Sequence, residues 1–366
     1  MVWPDRYGSS SCRRLPEVAH ALRGSIGKRG GRVRRHLISI LLALLVTGCG
    51  EPVESLSGPT MGSHYSLKYV AAAGGVEPVQ VQAEVQRLLD EVDEQMSTWR
   101  ADSAVSAFNQ LPAGSCLDMP DPVLALVRYG ETLSSASAGA FDLTLAPLLD
   151  LWGFGAQSRD RQVPSAEQLA GARGRVGYRY LRIVERQLCK DAAVQLDLAS
   201  IVAGYTVDRI ATRLGELGVR SYLLDVTGEV KAAGRKPDGS AWRVAIEAPR
   251  DGQQVVQQII ALDGLGMSTS GDYRNYFERD GRRYSHTLDP QRGAPVAHDL
   301  ASVTVIDPSA LHADGLSTLL MVLGPERGFA YAEQAGVAAL FIRRAEQGFV
   351  SRETSAFTRL ASAAAD

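Results

Sequence analysis

The chain has 366 residues, 45% of them hydrophobic, which is enough for one large domain or two lobes around a sizeable core. Residues 1–48 contain nine of the 39 basic residues and two of the 41 acidic ones, so the remainder has 30 basic and 39 acidic residues and a net charge of about -9. Such an acidic body without a basic stripe argues against nucleic acid as a partner.

The N-terminal segment has the pattern of an export signal. Three arginines within 32–35 precede an apolar run, 37–46, which is too short to span a bilayer and has the length of a signal-peptide core. Val46-Thr47-Gly48-Cys49 follows and resembles the lipobox of bacterial lipoproteins, whose cysteine receives diacylglycerol. We predict a leader and signal peptide over 1–48, lipidation of Cys49 and a linker over 49–56. The alternative is a buried core helix with an incidental cysteine.

The segment before this signal is unusually long, since a lipoprotein signal normally begins only a few residues ahead of its apolar run. Bacterial genes can start on a valine codon, and Val33 stands directly before Arg34. Our hypothesis is that translation starts at Val33 and that residues 1–32 are not translated, so they are left out of the fold prediction.

The body alternates between strand and helix periodicities. Ser63 to Val70 alternates as a strand, and apolar residues from Val81 to Met96 then recur at helical spacing. The other predicted strands are 182–198 with a turn at 185–186, 219–225, 242–246, 257–262, 266–270, 283–288, 301–306 and 338–343, and the other predicted helices are 123–133, 201–217 and 309–323. Because strands and helices mix without strict alternation, we predict an α+β fold with a largely antiparallel sheet, as one large two-lobed domain over 57–363.

Two cysteines of the body, Cys116 and Cys189, would lie in an oxidising compartment after export. They can form a disulfide there. The sequence does not show whether they are close in space, so two separate buried thiols are an equal alternative.

The common metal and nucleophile motifs are absent. The sequence has no His-Glu-x-x-His, no paired Cys-x-x-Cys, no Gly-x-Ser-x-Gly elbow and no Gly-x-Gly-x-x-Gly between a strand and a helix. In the predicted helix 309–323, however, Asp314 and Thr318 are four residues apart and project from one face. A carboxylate and a hydroxyl so placed suit Mg²⁺, which prefers oxygen ligands and shares its shell with phosphates and water. The alternative is that Asp314 caps the helix and Thr318 is an ordinary surface residue.

Two further segments could contribute to a site. Asp197 lies at a polar corner where a predicted strand runs into a helix; it could N-cap that helix or bind a ribose or adenine edge. His286 lies at the end of a predicted strand, just before a turn at Asp289-Pro290. A histidine there can accept a proton at neutral pH, although a lone histidine in a strand is more often structural.

These segments together resemble the ApbE family, the FAD:protein FMN transferases. The resemblance rests on eight motifs that occur in family order along the chain. They are 59–63, 96–99 with 102–103 and 108–109, 139–142, 151–155, 197–208, 269–273, 286–293 and 313–318. Family members are exported or lipid-anchored and use Mg²⁺ to split FAD, passing FMN through its phosphate to a Thr or Ser of a target protein and releasing AMP.

The resemblance implies roles for individual residues. It places Asp314 and Thr318 at Mg²⁺, together with the Ser200 carbonyl and the Ser317 position, and His286 is our candidate for the proton acceptor. The residues that it places around FAD are Met61, Trp99, Ala140, Phe141, Asp142, Asp197, Ala203 and Leu288.

One departure from the family leaves alternatives open. Many members have Lys where this sequence has Ala203, and alanine cannot contact a phosphate or adenine through a charge. This departure keeps open an FAD-binding lipoprotein without catalysis. An FAD pyrophosphatase that gives FMN and AMP is a second alternative, because water could replace the target hydroxyl in the same site. A serine hydrolase using Ser268 or Ser270 with His286 and Asp289 is a third.

The resemblance also implies partners and a location. The acceptors would be subunits of sodium-pumping NADH:quinone reductases or related electron-transfer complexes. Gly50 is not the Asp that retains some lipoproteins at the inner membrane, so the location follows from these partners. We expect the protein on the periplasmic side of the bacterial inner membrane, held there by a lipid on Cys49.

Overall fold

The computed structural model describes residues 51–158, 160–250, 252–253 and 255–363. The predicted signal peptide and the predicted lipidation site Cys49 lie outside the described residues. No helix in the described part of the chain combines the length and apolar character that crossing a bilayer requires.

The largest sheet has eight strands, and each strand is antiparallel to its neighbours. Residues from both halves of the chain meet in it, because strands from 53–70 pair with strands from 222–233. In spatial order the strands are β1 (Val53–Thr60), β2 (Ser63–Val70), β6 (Tyr222–Val226), β7 (Glu229–Ala233), β10 (Leu265–Gly271), β15 (Leu300–Asp307), β16 (Ala338–Ala345) and β17 (Gly348–Glu353).

The part of the chain that the structure describes also contains four smaller antiparallel sheets. One has three strands and the others are two-stranded. The three-stranded sheet has β5 (Gln187–Lys190) between β3 (Ser115–Asp118) and β4 (Leu181–Val184), and the pairs are β8 (Trp242–Glu247) with β9 (Val256–Leu262), β11 (Tyr276–Arg279) with β12 (Arg282–Ser285), and β13 (Leu288–Asp289) with β14 (Ala294–Pro295).

The question about the two cysteines is resolved by the three-stranded sheet. Cys116 on β3 and Cys189 on β5 are directly opposite each other, and a disulfide with an S–S distance of 1.98 Å joins them. The disulfide alternative is therefore correct, and the alternative of two separate thiols is wrong.

Eight α-helices pack on these sheets within the described residues. Apolar residues recur on one side of α1 and become buried, as the helical spacing predicted. The helices are α1 (Pro78–Met96), α2 (Ala104–Gln110), α3 (Asp121–Ala136), α4 (Ala146–Trp152), α5 (Ala166–Arg173), α6 (Val202–Glu216), α7 (Ala310–Ala335) and α8 (Ser355–Ala363). The predicted α+β fold with a largely antiparallel sheet is confirmed. The sequence pattern did not reveal α2, α4, α5 or α8, which are short.

Helix α7 is longer than the predicted 309–323. Ser309 caps it, and its hydroxyl accepts a hydrogen bond from the His312 amide at 3.2 Å. The helix passes a kink at Gly324, where φ is 80°, and continues beyond Pro325 to Ala335. Glycine followed by proline is typical of a helix end. The prediction therefore ended twelve residues before the observed end of the helix, which is about three turns.

Three other predicted boundaries need correction. Strand β5 ends at Lys190, and residues 191–198 are irregular although Val194, Leu196 and Leu198 are buried in alternation. That alternation mimics a strand, but the backbone there does not join a sheet. The predicted strand 283–288 is interrupted at His286 and Thr287, between β12 and β13. Strand β1 includes residues 53–56, which belong to the predicted linker.

Candidate active site

A cavity of about 370 Å³ collects most of the residues singled out in the sequence. It lies where α7, the β6–β7 turn, β10 and the irregular corner before α6 meet. The predicted site residues that line it are Ala140, Phe141, Asp142, Asp197, Ser200, His286, Leu288, Asp314 and Thr318. Residues more than 100 positions apart in the chain thus share one site.

Asp314 lies on the second turn of α7 and is only 5% exposed. Its Oδ2 accepts a hydrogen bond from the Gly204 amide at 2.9 Å. This contact requires glycine, because a Cβ at position 204 would lie 2.7 Å from the Asp314 Cβ. Burial, and then the negative charge of Glu229, raise the pKa of Asp314 well above its ordinary value, while the Gly204 hydrogen bond lowers it. The alternative that Asp314 caps the helix is wrong, because Ser309 occupies that position.

Four hydroxyl groups near Asp314 lie close to one another, those of Ser268, Ser270, Ser317 and Thr318. Ser317 is fully buried, and its hydroxyl donates to the Asp314 carbonyl at 3.0 Å. Its Oγ is also 2.9 Å from the Ser270 Oγ and 3.2 Å from the Ser268 Oγ. Thr318 lines the cavity, with its Oγ1 3.3 Å from the Ser270 Oγ. Thr318 is therefore available to a ligand in the cavity, whereas the Ser317 hydroxyl is occupied by bonds to neighbouring protein groups.

Glu229 is a cavity residue that the sequence analysis missed. It follows the β6–β7 turn, where Thr227 has a φ of 58°, a left-handed conformation that costs energy for a β-branched residue. The Thr227 hydroxyl donates to the Glu229 Oε2 at 3.0 Å. Burial, the largest influence, raises the pKa of Glu229 to about 7. The only local signal for this residue was the Thr-Gly-Glu turn between two strands.

The donor set around Asp314 fits Mg²⁺. In the described part of the chain neither Asp314 nor Glu229 forms an ion pair with a lysine or arginine, so two carboxylates face one cavity without a cationic partner. A divalent cation would relieve their repulsion. Among the described residues no three His, Cys, Asp or Glu side chains cluster as a metal cage. Mg²⁺ usually takes one or two carboxylates and completes its shell with water and phosphates.

Asp197 lies at the corner before α6, but it does not cap that helix. Its Oδ1 accepts a hydrogen bond from the Ala199 amide at 2.7 Å, while Ile201 is the N-cap residue of α6 and provides no side-chain cap. The N-cap alternative is therefore wrong. Burial raises the pKa of Asp197, the Ala199 hydrogen bond lowers it, and the charge of Asp150 raises it further.

Asp142 lines the cavity, and both oxygens of its carboxylate already accept hydrogen bonds from neighbouring residues. Its Oδ1 accepts from the Thr144 amide at 2.8 Å and from the Thr144 hydroxyl at 2.6 Å, and its Oδ2 accepts from the Tyr178 amide at 2.9 Å. Burial raises the pKa of Asp142 and these bonds lower it. These bonds hold the Asp142 carboxylate in place in the cavity wall, which Ala140 and Phe141 also line.

His286 lines the cavity, and a hydrogen bond of its ring determines which nitrogen carries the proton. Its Nδ1 lies 3.1 Å from the Asn275 carbonyl oxygen, which can only accept, so Nδ1 carries the proton and Nε2 is left as an acceptor. Burial, the largest influence, lowers the pKa of His286, whereas the Asn275 hydrogen bond raises it. The imidazole is consequently neutral at pH 7 and able to accept a proton at Nε2.

The residues of the serine hydrolase alternative do not form a catalytic arrangement. The Ser268 and Ser270 hydroxyls bond to other hydroxyls of the cluster, and His286 bonds to a backbone carbonyl. Asp289 accepts hydrogen bonds from the amides of residues 291 and 292. Within the described residues no bond joins these serines to His286 or His286 to Asp289, so the structure lends this alternative no support.

Comparison with known proteins places the chain in a family. A profile of the ApbE family matches residues 61–341. The chain belongs to the ApbE family. It is 42% identical over 328 residues to the FAD:protein FMN transferase of Vibrio cholerae, covering 89% of this chain and 98% of that protein. It is 36% identical over 335 residues to the protein of the same name from Haemophilus influenzae, covering 88% of this chain and 96% of that protein.

Solved structures agree with this assignment. The apo form of the Pseudomonas stutzeri flavinyl transferase ApbE superposes with a TM-score of 0.80 at 59% identity, covering 85% of this chain and 97% of that chain. An ApbE protein from Thermotoga maritima superposes with a TM-score of 0.74 at 26% identity, covering 85% of this chain and 99% of that chain. The resemblance inferred from the motifs is confirmed, and the relatives' common name agrees with the enzyme class that it implied.

Four residues that the ApbE pattern placed at the site do not line the cavity. Met61 is in the β1–β2 turn with a φ of 47° and packs against the hydrophobic cluster that contains Phe141. Trp99 is 75% exposed, in the loop after α1. Ala203 is buried on the first turn of α6, and Ser317 lies behind the metal-ligand candidates. The structure thus brings nine of the predicted residues together and leaves these four outside.

Proposed function

We propose that this chain transfers FMN from FAD to a Thr or Ser side chain of another protein, forming a phosphoester and releasing AMP, with Mg²⁺ bound at the site. The observation that carries the proposal is one cavity lined by Asp314, Thr318 and His286. A carboxylate, a hydroxyl and a neutral imidazole with a free nitrogen are the groups that phosphoryl transfer to a hydroxyl requires. The shared name of the curated relatives supports the same reaction.

The cavity has both apolar and polar lining residues, which suits a flavin dinucleotide. Ala140, Phe141 and Leu288 offer apolar surface, and Leu145 and Leu149 of the α4 region extend it. Polar groups at the corner of Asp197 and Ser200 line the same cavity. An apolar wall with a few placed polar groups is typical of a cofactor-sized ligand site.

The metal site that we propose consists of the Asp314 carboxylate, the Thr318 hydroxyl and the Ser200 carbonyl. Mg²⁺ bound there would neutralise negative charge that develops on the FAD phosphates as AMP leaves. Ser317 would contribute indirectly, because its hydroxyl bonds to the Asp314 carbonyl and to Ser270.

His286 is the proton acceptor in this proposal. The oxygen of the acceptor hydroxyl forms a bond to the FMN phosphorus while the bond from that phosphorus to the AMP oxygen breaks. The hydroxyl proton passes to Nε2 of His286, since Nδ1 already donates to the Asn275 carbonyl. That hydrogen bond also holds the ring in place, so the same nitrogen faces the cavity throughout.

The acceptor and the location are further parts of the proposal. The acceptor class is that of membrane redox subunits such as those of sodium-pumping NADH:quinone reductases, and it rests on the family resemblance. The protein would be anchored by a lipid on Cys49 at the periplasmic side of the inner membrane. Anchoring would confine the protein and a membrane-bound acceptor to one surface, which raises their effective concentration.

A single incubation distinguishes the proposed activity from its alternatives. The purified protein is mixed with FAD, Mg²⁺ and a candidate acceptor, and in-gel flavin fluorescence and free AMP are measured. A fluorescent acceptor with one AMP per label supports transfer. AMP without a label would indicate an FAD pyrophosphatase, and intact bound FAD would indicate a carrier.

Two variants test the role of His286. His286→Ala is expected to bind FAD normally and to lose about 10²-fold or more of the transfer rate, which is the usual contribution of a positioned general base. His64→Ala is the matched control, because His64 is exposed on β2 and does not line the cavity. Transfer by His286→Ala at the rate of the control would disprove the assignment.

A further inference from the structure

The segment that contains Asp197 and Ser200 has no regular secondary structure of its own. Residues 191–200 run from β5 to α6 without joining a sheet. A backbone of this kind must have its polar groups satisfied by other partners when it is buried. Leu196, next to Asp197, is fully buried, so the position of the corner depends on what bonds to the Leu196 backbone.

Asn109 provides those bonds. It lies on the last turn of α2, 87 positions away in sequence, and its side-chain amide pairs with both polar backbone groups of Leu196. Its Nδ2 donates to the Leu196 carbonyl at 2.8 Å, and its Oδ1 accepts from the Leu196 amide at 2.7 Å. The two bonds replace the pairing that a neighbouring strand would give.

The buried residue Lys190 bonds both to Asn109 and to the irregular segment. Lys190 is 1% exposed, and its Nζ donates to the carbonyls of Asn109 and Val194, each at 3.2 Å. Lys190 follows Cys189 directly, so it leaves a strand that the disulfide to Cys116 holds in place. Asn109 and the irregular segment are therefore tied together through one ammonium group.

A backbone hydrogen bond of Asp197 connects the corner to another segment that lines the cavity. The Asp197 amide donates to the Leu143 carbonyl at 2.7 Å. Leu143 continues the 140–142 segment, which lines the cavity. A shift at Leu196 would therefore move Asp197 and loosen its connection to this segment, both of them on the side that we assign to FAD.

We propose that Asn109 is a positioning residue for FAD, acting through the backbone of Leu196 and Asp197. This inference rests on the proposed function. Asn109 does not line the cavity and touches neither the reacting groups nor the proposed metal ligands. Its loss is therefore expected to weaken FAD binding much more than the rate of the chemical step.

The test compares the dissociation constant of FAD, measured by quenching of flavin fluorescence in the presence of Mg²⁺, with kcat at saturating FAD. Asn109→Ala removes both bonds to Leu196, and we expect the dissociation constant to rise about tenfold, equivalent to ~1.4 kcal/mol, with kcat within about twofold of the parent. Asn109→Asp retains the acceptor for the Leu196 amide only and is expected to fall between the parent and Asn109→Ala.

Gln110→Ala is the matched control, because Gln110 is the next residue of the same helix and is exposed. Amide hydrogen exchange at Leu196 and Asp197 gives an independent readout, and we expect it to accelerate in Asn109→Ala and to remain unchanged in Gln110→Ala. If Asn109→Ala does not fold, Asn109→Asp is measured in its place.

Two results would overturn the inference: an FAD dissociation constant equal to that of Gln110→Ala, or a loss of kcat at unchanged FAD binding. Failure of the parent protein to bind FAD would instead refute the proposed function, so the two failures are distinguishable.

Discussion

The Nε2 of His298 lies 2.9 Å from the carbonyl oxygen of Met321, at the kink of helix α7. Met321 is four residues before Pro325, which has no N–H to complete the helical hydrogen bond. The imidazole of His298 donates in its place. A side chain from outside the helix thus satisfies the carbonyl that proline leaves free, and the helix continues for another ten residues beyond Pro325.

His298→Ala is expected to destabilise the protein by ~1–3 kcal/mol, because the Met321 carbonyl loses its partner.

The ring of His298 is partly buried, and its Nδ1 has no hydrogen-bond partner among the described residues. Burial, the largest influence, lowers the pKa of His298, so the unfolded chain binds a proton more readily than the folded one. Stability should therefore fall as the pH drops below about 6.5. Chemical unfolding from pH 8 to pH 5 measures this, and the decrease should be smaller in His298→Ala than in His64→Ala.

Asp314→Asn is expected to abolish transfer, with a loss of about 100-fold or more, since the proposed metal site loses its charged ligand. The same variant should be as stable as the parent or more stable without Mg²⁺, because the native state no longer contains a buried carboxylate beside Glu229. Asparagine can still accept the hydrogen bond from Gly204 through its Oδ1. Thermal unfolding with and without Mg²⁺ is the measurement. A large loss of stability of Asp314→Asn without Mg²⁺ would contradict the prediction that the Asp314 carboxylate destabilises the metal-free protein.

Glu229→Gln tests the electrostatic coupling in the cavity. The pKa of Glu229 is raised to about 7, so the folded state binds its proton more readily than the unfolded chain, whose glutamate titrates near 4.3. This contribution to stability is complete at low pH and is lost as the pH rises to about 7. We expect the melting temperature of the metal-free parent to decrease over this range by several degrees relative to Glu229→Gln. Equal pH profiles for the two proteins would show that Glu229 is not coupled to its surroundings.

Loss of the Cys116–Cys189 disulfide is expected to cost ~4 kcal/mol, because the bridge closes a loop with a sequence separation of 73. Cys116→Ser with Cys189→Ser should lower the denaturant midpoint by the same amount as reduction of the parent by dithiothreitol. Dithiothreitol should have no effect on the double variant. A parent midpoint that does not respond to reduction would contradict the prediction.

Local sequence patterns predicted the regular elements well where the periodicity was produced by one buried face. Strand β2 matches its predicted limits, and the helix from Val81 to Met96 was extended only by its first turn. The pattern failed at 191–198, where buried residues alternate but the backbone bonds to Asn109 and Leu143. It failed again at Gly324, because the histidine that allows the helix to continue comes from a different element.

The site was predictable to the extent that its residues lie in short motifs. Asp314, Thr318, His286 and Asp197 were found in this way, and they line one cavity. Glu229 was not found, since its importance arises from its proximity to Asp314, 85 positions later in the chain. The requirement for glycine at 204 could not be seen either, because it depends on how closely α6 approaches α7.

The position of β1 determines how far a lipid on Cys49 would let the folded body move from a membrane. Strand β1 is the edge of the large sheet and begins at Val53, only four residues after Cys49. Four residues span at most ~14 Å when fully extended. With a lipid on Cys49, the start of β1 would therefore stay within about that distance of the bilayer, and the folded body could reach only acceptors near the same membrane. Lengthening this segment would then change which acceptors can be reached without altering the cavity itself.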